Sequence, residues 1–168
     1  MVHFVLTVIS AVIFTVYVTV ITRIGGILPS LSDSYYLLEG RKKGLGIAFY
    51  VVLLLTVFTC IAPMCQAAGG FGVLAGFGLL LVGAAPKFKE SKTLERTLHF
   101  IGAATSAGAA AVILLKSGQL QMIPYAAVLF LALSLASRSL KQSYVLWAEM
   151  VAFYALFTGM YIHYYPGA

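Results

Sequence analysis

"VHFVLTVISAVIFTVYVTVITR", residues 2–23, contains a single Lys, Arg, Asp or Glu, and it is the last residue. An α-helix needs about 20 apolar residues to cross the roughly 30 Å hydrocarbon core of a bilayer. No basic residue precedes this run, its length exceeds a signal-peptide core, and Arg23 follows it, so it is expected to stay on the chain as a first membrane helix. The pattern recurs along the sequence. Six apolar segments, each bounded by Gly, Pro or charge, lie at about 3–23, 45–63, 68–85, 98–115, 121–137 and 143–164.

Composition gives the same class. The 168 residues are 61% hydrophobic and 10% charged, against about 25% charged in a typical soluble domain. The space between segments is too short for a separate aqueous domain. The expected fold class is therefore all-α: a polytopic integral membrane six-helix bundle, forming one transmembrane domain over residues 1–168. Two connections read as tight hairpins, one around Pro63 to Gly69 and one over Lys116, Ser117, Gly118 and Gln119.

The net charge of +6 would suggest nucleic acid in a soluble protein. Here the basic residues sit in the loops after the first, third and fifth segments: Arg23, Arg41, Lys42 and Lys43, then Lys87, Lys89, Lys92 and Arg96, then Arg138 and Lys141. Lys116 alone falls on the other side. The positive-inside rule then puts both termini on the non-cytoplasmic side, with membrane lipids as expected partners and nucleic acid not expected. Cys60 and Cys65 fit no zinc or redox spacing, and they read as small buried hydrophobes.

"GGFGVLAGFGLLLVGAAP", residues 69–86, is rich in glycine, and Gly72 with Gly76 makes a GxxxG pair. In the fourth segment Gly102, Ser106 and Ala110 share one stripe, with Ala104 and Gly108 beside it. Small residues let helix backbones approach closely in lipid, where little hydrophobic force drives association. Gly72, Gly76, Gly102, Ser106 and Gly108 are thus expected to pack helices, within the chain or in a homo-oligomer.

Polar side chains inside apolar segments carry whatever chemistry there is. Glu149 is the one acid within a predicted span, and a carboxylate there costs about 3 kcal/mol unless it finds a partner. His99, Tyr154 and Ser143 are the partners in reach. Glu95, His99, Gly102 and Ser106 follow at i, i+4, i+7 and i+11 on one helix face, and the charge count brings Ser32 and Asp33 to the same membrane side. Ser32, Asp33, His99 and Glu149 are the candidate ligand-binding set. Stripes of Thr15, Thr19 and Thr22, and of Tyr154, Thr158 and Tyr161, read as interhelical hydrogen bonds. His3 and His163 fall on the opposite side from His99, so no metal site and no cofactor are expected.

Ser30 to Asp33 also has the form of a helix cap, opening a short interfacial helix through Leu38 whose Leu31, Tyr35 and Leu38 stripe is expected to lie on the bilayer. There is no GxSxG elbow, HExxH or Walker loop, and a serine, an aspartate and a histidine at one face are the minimum for hydrolysis.

Three segments together resemble a known family. "LPSLSDSYY" (28–36), "LHFIGAATSAGAAAVILLKSG" (98–118) and "LWAEMVAFYALF" (146–157) are similar, in that order, to the ISDTG, HxxGA and Glu-Trp markers of the six-helix DRAM-type membrane proteins. That family includes the damage-regulated autophagy modulators and the GPI-lipid remodelling factors. The resemblance covers about a quarter of the chain and implies roles for Ser32, Asp33, His99, Gly102, Ala103 and Glu149. Tyr35 stands where the family has glycine, Trp147 lies two residues before Glu149, and family members place the first loop on the lumenal side. The chain is also similar to small bacterial membrane proteins of unassigned function.

The expected function is binding or handling of a lipid or other amphiphile in a polar pocket near the cytoplasmic face. A small channel or carrier using Glu149 and a non-catalytic scaffold or accessory subunit are the alternative readings. A membrane hydrolase is the least favoured.

Overall fold

The computed structural model describes residues 1–88, 90–136, 143–165 and 167. They form seven α-helices in the order α1 Val2–Gly25, α2 Asp33–Arg41, α3 Ile47–Ala68, α4 Gly70–Ala84, α5 Lys92–Lys116, α6 Met122–Ala136 and α7 Tyr144–Tyr164, with a 3-10 turn over Ala85–Phe88. No strand occurs among the described residues. Five of the helices, with the 3-10 turn extending α4, are long and apolar enough to cross a membrane. The sixth expected span corresponds to α6, which is apolar but shorter; its 15 residues rise about 22 Å. Residue 137 of that expected span, and Lys89, Arg138 and Lys141 from the charge count, lie outside the described residues.

Helix ends depart from the apolar pattern in two places. The expected turn at Pro63 to Gly69 shrinks to the single residue Gly69, at φ +61°, because α3 continues through Pro63 to Ala68. Proline removes one backbone N–H, yet in lipid the neighbouring peptide groups still need helical partners, and here the Pro63 carbonyl accepts the Tyr164 hydroxyl at 2.8 Å. Helix α5 begins at Lys92, about two turns before the expected start. Ser91 caps it by accepting the Leu94 N–H at 3.4 Å, and polar residues continue the helix beyond the hydrocarbon.

Close approach of α4 and α5 follows from two glycines. A Cβ on Gly102 would lie 2.6 Å from the Gly78 carbonyl oxygen and 2.8 Å from the Val82 nitrogen, and one on Gly78 would lie 2.7 Å from the Gly102 carbonyl oxygen. Ser106 locks the same seam by donating its hydroxyl to the Ala75 carbonyl at 2.8 Å. The expected GxxxG pair faces the other neighbour. Gly72 abuts the Cys65 backbone of α3, and a Cβ on Gly76 would lie 3.2 and 3.3 Å from the Ile61 and Val57 side chains. Gly108 has no heavy atom within 4 Å of its open side, so its expected packing role is not met in this chain: it lies on the exposed face of α5.

Helix α1 is held on both flanks. The Ser10 and Thr59 hydroxyls meet at 2.6 Å towards α3, Thr15 meets the Tyr154 hydroxyl at 3.0 Å towards α7, and Phe14 stacks on Phe153 with ring centroids 4.4 Å apart. Thr22, expected to reach across, instead donates back to the carbonyls of Val18 and Thr19 in its own helix. At one end of the bundle Tyr164 closes against His3, with centroids 5.4 Å apart, so the start of α1 and the end of α7 meet there. The opposite end carries residues 26–46, the 3-10 turn and the first turns of α5 and α7.

Gly102→Ala is expected to force two backbones apart and to destabilise the protein by about 1–3 kcal/mol. Gly108→Ala should leave stability within about 0.5 kcal/mol of the parent. Thermal unfolding of the two variants in the same detergent is the comparison that decides.

Candidate functional site

The loop before α2 crosses the basic end of the bundle as a strap. Its Pro29 carbonyl accepts the Leu146 N–H of α7 at 3.1 Å, and the Arg41 guanidinium, at the far end of α2, donates to the Ile24 carbonyl of α1 at 2.7 Å. Inside the strap, Ser34 donates to the Leu31 carbonyl at 2.5 Å and meets the Tyr17 hydroxyl at 2.6 Å. Leu31 and Leu38 are buried at 9% and 5% exposure, so the apolar stripe of α2 faces the protein. This corrects the expectation of a helix laid on the bilayer: an amphipathic stripe packs on whichever apolar surface lies beneath it, and here α3, α1 and the 3-10 turn supply one.

The side-chain cap of α2 comes from Ser30, not from the serine at the N-cap position. The Ser30 hydroxyl oxygen accepts the Asp33 N–H at 3.3 Å and donates its proton to Asp33 Oδ2 at 2.7 Å, which is the SxxD arrangement read from sequence. Ser32 occupies the N-cap position, yet its side chain makes no capping bond. It lies instead 2.9 Å from Ser30 Oγ and 3.4 Å from Nδ1 of His99 on α5. His99 Nε2 lies 3.5 Å from Glu149 Oε1 on α7, and Glu149 Oε2 accepts the Leu31 N–H at 2.8 Å. Since Leu31 precedes Ser32, these contacts close a ring through the strap, α5 and α7.

The four candidate residues thus meet at one place. Ser32, His99 and Glu149 form a continuous chain, and Asp33 joins it through Ser30. Among the three partners considered for Glu149, His99 is the one in contact, while Tyr154 goes to Thr15. Asp33 and Glu95 are the other acids whose charges act on His99. Two participants carry no side-chain signal of their own in the sequence: the Leu31 amide, which is backbone, and Ser30, visible there only as a cap.

A second bridge flanks the first. Tyr36 on α2 donates to the Glu95 carboxylate on α5 and to the Pro86 carbonyl at 3.3 Å. Burial, then the Glu95 hydrogen bond and the charges of Glu95 and Asp33, raise the Tyr36 phenol above its ordinary value, so it stays a donor at any physiological pH. In the last turn of α2, Glu39 accepts the Gly44 N–H at 3.0 Å and the Gly46 N–H at 3.1 Å, shaping the return into α3.

Among the described residues, no group of three His, Cys, Asp or Glu side chains is placed to hold a metal ion. The Trp147 indole N–H, two residues before Glu149, is buried and has no hydrogen-bond partner among them. A groove of about 320 Å³ between α1 and α7 is lined by Thr7, Ala11, Thr15, Phe157 and Tyr161 and their apolar neighbours, lower in the span than the polar cluster.

Glu149→Ala strands the buried Leu31 N–H and is expected to destabilise by about 1–3 kcal/mol, whereas Glu149→Gln keeps an acceptor for that N–H and should cost less. Thermal melts of the two variants check the order. For Glu39, the Gly44 and then the Gly46 N–H bonds hold the carboxyl below its ordinary value. A lowered folded value gives a contact that is complete above the ordinary carboxyl range, about pH 5, and lost as pH falls through the lowered value. Amide exchange at Gly44 and Gly46, corrected for intrinsic rate, should be constant above that range and rise below it.

Compared with protein families, curated proteins and solved structures, the chain matches none.

Proposed function

We propose that this is a six-span membrane protein, with both termini on the non-cytoplasmic side, that binds or handles a lipid or similar amphiphile at Ser32, Asp33, His99 and Glu149. The observation that carries the reading is the Ser32–His99–Glu149 chain, a polar cluster held at the end of an otherwise apolar bundle. Two of the five acids of the sequence, Asp33 and Glu149, meet there. Ionisable side chains within membrane segments are rare and by default point to a functional site.

Charge at the same end favours an anionic headgroup. Arg23, Arg41, Lys42, Lys43, Lys87, Lys92 and Arg96 lie on the elements at the same end of the bundle, and each basic side chain near the surface attracts anionic lipid by about 1 kcal/mol. Six crossings are supported by parity. The start of α1 and the end of α7 meet at one end, which requires an even number of crossings, and α6 is the remaining helix able to complete it. The resemblance of residues 28–36, 98–118 and 146–157 to the DRAM-type markers points in the same direction, because the three segments are those that meet at the cluster.

Native mass spectrometry of the purified chain tests the proposal. The parent is expected to retain lipid, and Asp33→Ala combined with His99→Ala to reduce the retained fraction by about tenfold, the equivalent of losing one charge-assisted hydrogen bond. A parent that carries no lipid, or a double variant that carries as much as the parent, overturns it.

A further inference from the structure

We propose that Ser32 is a nucleophile, with His99 as its general base, in an acyl-transfer site that acts on the carboxylic ester of a membrane glycerolipid. The inference rests on the lipid-handling reading and deepens it by naming the bond attacked.

Acyl transfer by serine needs a hydroxyl, a base within hydrogen-bond reach, and a third group that orients the base. All three are present in that order. Ser32 Oγ lies 3.4 Å from His99 Nδ1, and Glu149 Oε1 lies 3.5 Å from His99 Nε2. A carboxyl at Nε2 holds the imidazole proton on that nitrogen and leaves the Nδ1 lone pair facing the serine. Both separations are loose, as is usual before substrate closes a site. The Ser32 hydroxyl is also released from structural duty, since Ser30 caps α2 in its place. Ser30 gives its own proton to Asp33, so the Ser32 proton has two acceptors in reach, Ser30 Oγ and His99 Nδ1, and a rotation of one bond moves it between them. Glu149 is fixed by the Leu31 N–H, so the orienting group and the nucleophile hang from adjacent residues of one backbone segment.

Depth selects the substrate. His99 is seven residues into α5 from Lys92, about 10 Å along the axis, and Arg96 lies one turn nearer the headgroups on the same side. With those cations at phosphate level, His99 reaches the boundary of headgroup and hydrocarbon, where the ester carbonyls of glycerolipids lie. The His99 side chain is 22% exposed while Ser32 is buried at 9%, so the site opens to the surface on the histidine side. Ser32 sits at the N-terminal end of α2, whose dipole favours negative charge there, partly offset by Asp33.

In the reaction, Ser32 Oγ bonds to the ester carbonyl carbon as its proton passes to His99 Nδ1. The tetrahedral adduct collapses, the carbon–oxygen bond to the glycerol breaks, and the leaving oxygen takes the proton from His99. A water molecule or a lipid hydroxyl then attacks the acyl-serine, gives its proton to His99, and Ser32 Oγ departs with that proton. Nothing is oxidised or reduced.

The test uses the full chain in lipid nanodiscs and a long-chain alkyl fluorophosphonate, with peptide mass spectrometry to locate the adduct. An adduct on Ser32 is expected, absent in Ser32→Ala and formed about 100-fold more slowly in His99→Ala. Ser32→Cys, which keeps a nucleophile at the same place, should retain release of a fluorescent acyl chain from phosphatidylglycerol above the Ser32→Ala level. Folding of each variant is judged by its thermal midpoint. The proposal is overturned if the folded parent forms no adduct, if the adduct maps elsewhere, or if acyl release is equal in the parent and Ser32→Ala. Lipid retention in native mass spectrometry is read on the same samples: retained lipid without a Ser32 adduct removes acyl transfer and leaves binding standing, whereas absent lipid removes the binding reading itself.

Discussion

The Leu31 N–H donates to a carboxyl that belongs to a membrane-spanning helix, across 118 positions of sequence. Each group would be costly alone. A backbone amide in a strap that closes over apolar helix ends has no water to turn to, and a carboxyl one turn inside a span carries a penalty of about 3 kcal/mol unless paired. Joined, they satisfy one another and fix the strap over α7, and the second carboxyl oxygen is then left facing His99 on α5. The burial of Leu31 and the seating of the strap on α7 rest on that contact, together with the Leu146 N–H bond to the Pro29 carbonyl.

What keeps His99 at the level of Glu149 is packing lower in the bundle. Gly102 lies three residues after His99 on the same face of α5, and its contact with Gly78 sets both the spacing and the register of α5 against α4. A side chain at either glycine would displace the helix that carries the histidine. The hydrogen bond from Ser106 to the Ala75 carbonyl, one turn further along, restricts sliding of the same pair. Small residues thus act on the site at a distance: they hold no ligand, but they decide where the imidazole stands.

Span positions were legible because the length of an apolar run is a direct consequence of bilayer thickness, and the starts of α1 and α7 fall within one residue of the expected positions. The ends were less legible where polarity and helicity part company. The first two turns of α5 are polar and helical at once, and Pro63 sits within α3 without ending it. Which glycine meets which neighbour was also hidden, since a one-dimensional pattern gives spacing but no partner: Gly72 and Gly76 turn to α3, while Gly78, outside the GxxxG pair, turns to α5. The convergence of Ser32, His99 and Glu149 could be read because polar side chains beside apolar runs are few. The Leu31 amide could not, because every residue except proline carries the same donor.

The two ends of the bundle differ in a way that bears on what the polar cluster can do. Phe153, one turn after Glu149, stacks on Phe14, and Phe157 meets Phe14 a further turn down with centroids 5.9 Å apart, so aromatic rings fill the bundle directly beneath the carboxyl. At the far end Tyr164 closes on His3 and on the Pro63 carbonyl. A carrier that used Glu149 would need a polar route past these layers, and both carboxyl oxygens are already engaged by Leu31 and His99. A molecule that stays in its own leaflet meets neither obstacle. On the proposed reading it would reach His99 from the end where the basic residues collect, which suits a site for a lipid better than a path for a solute.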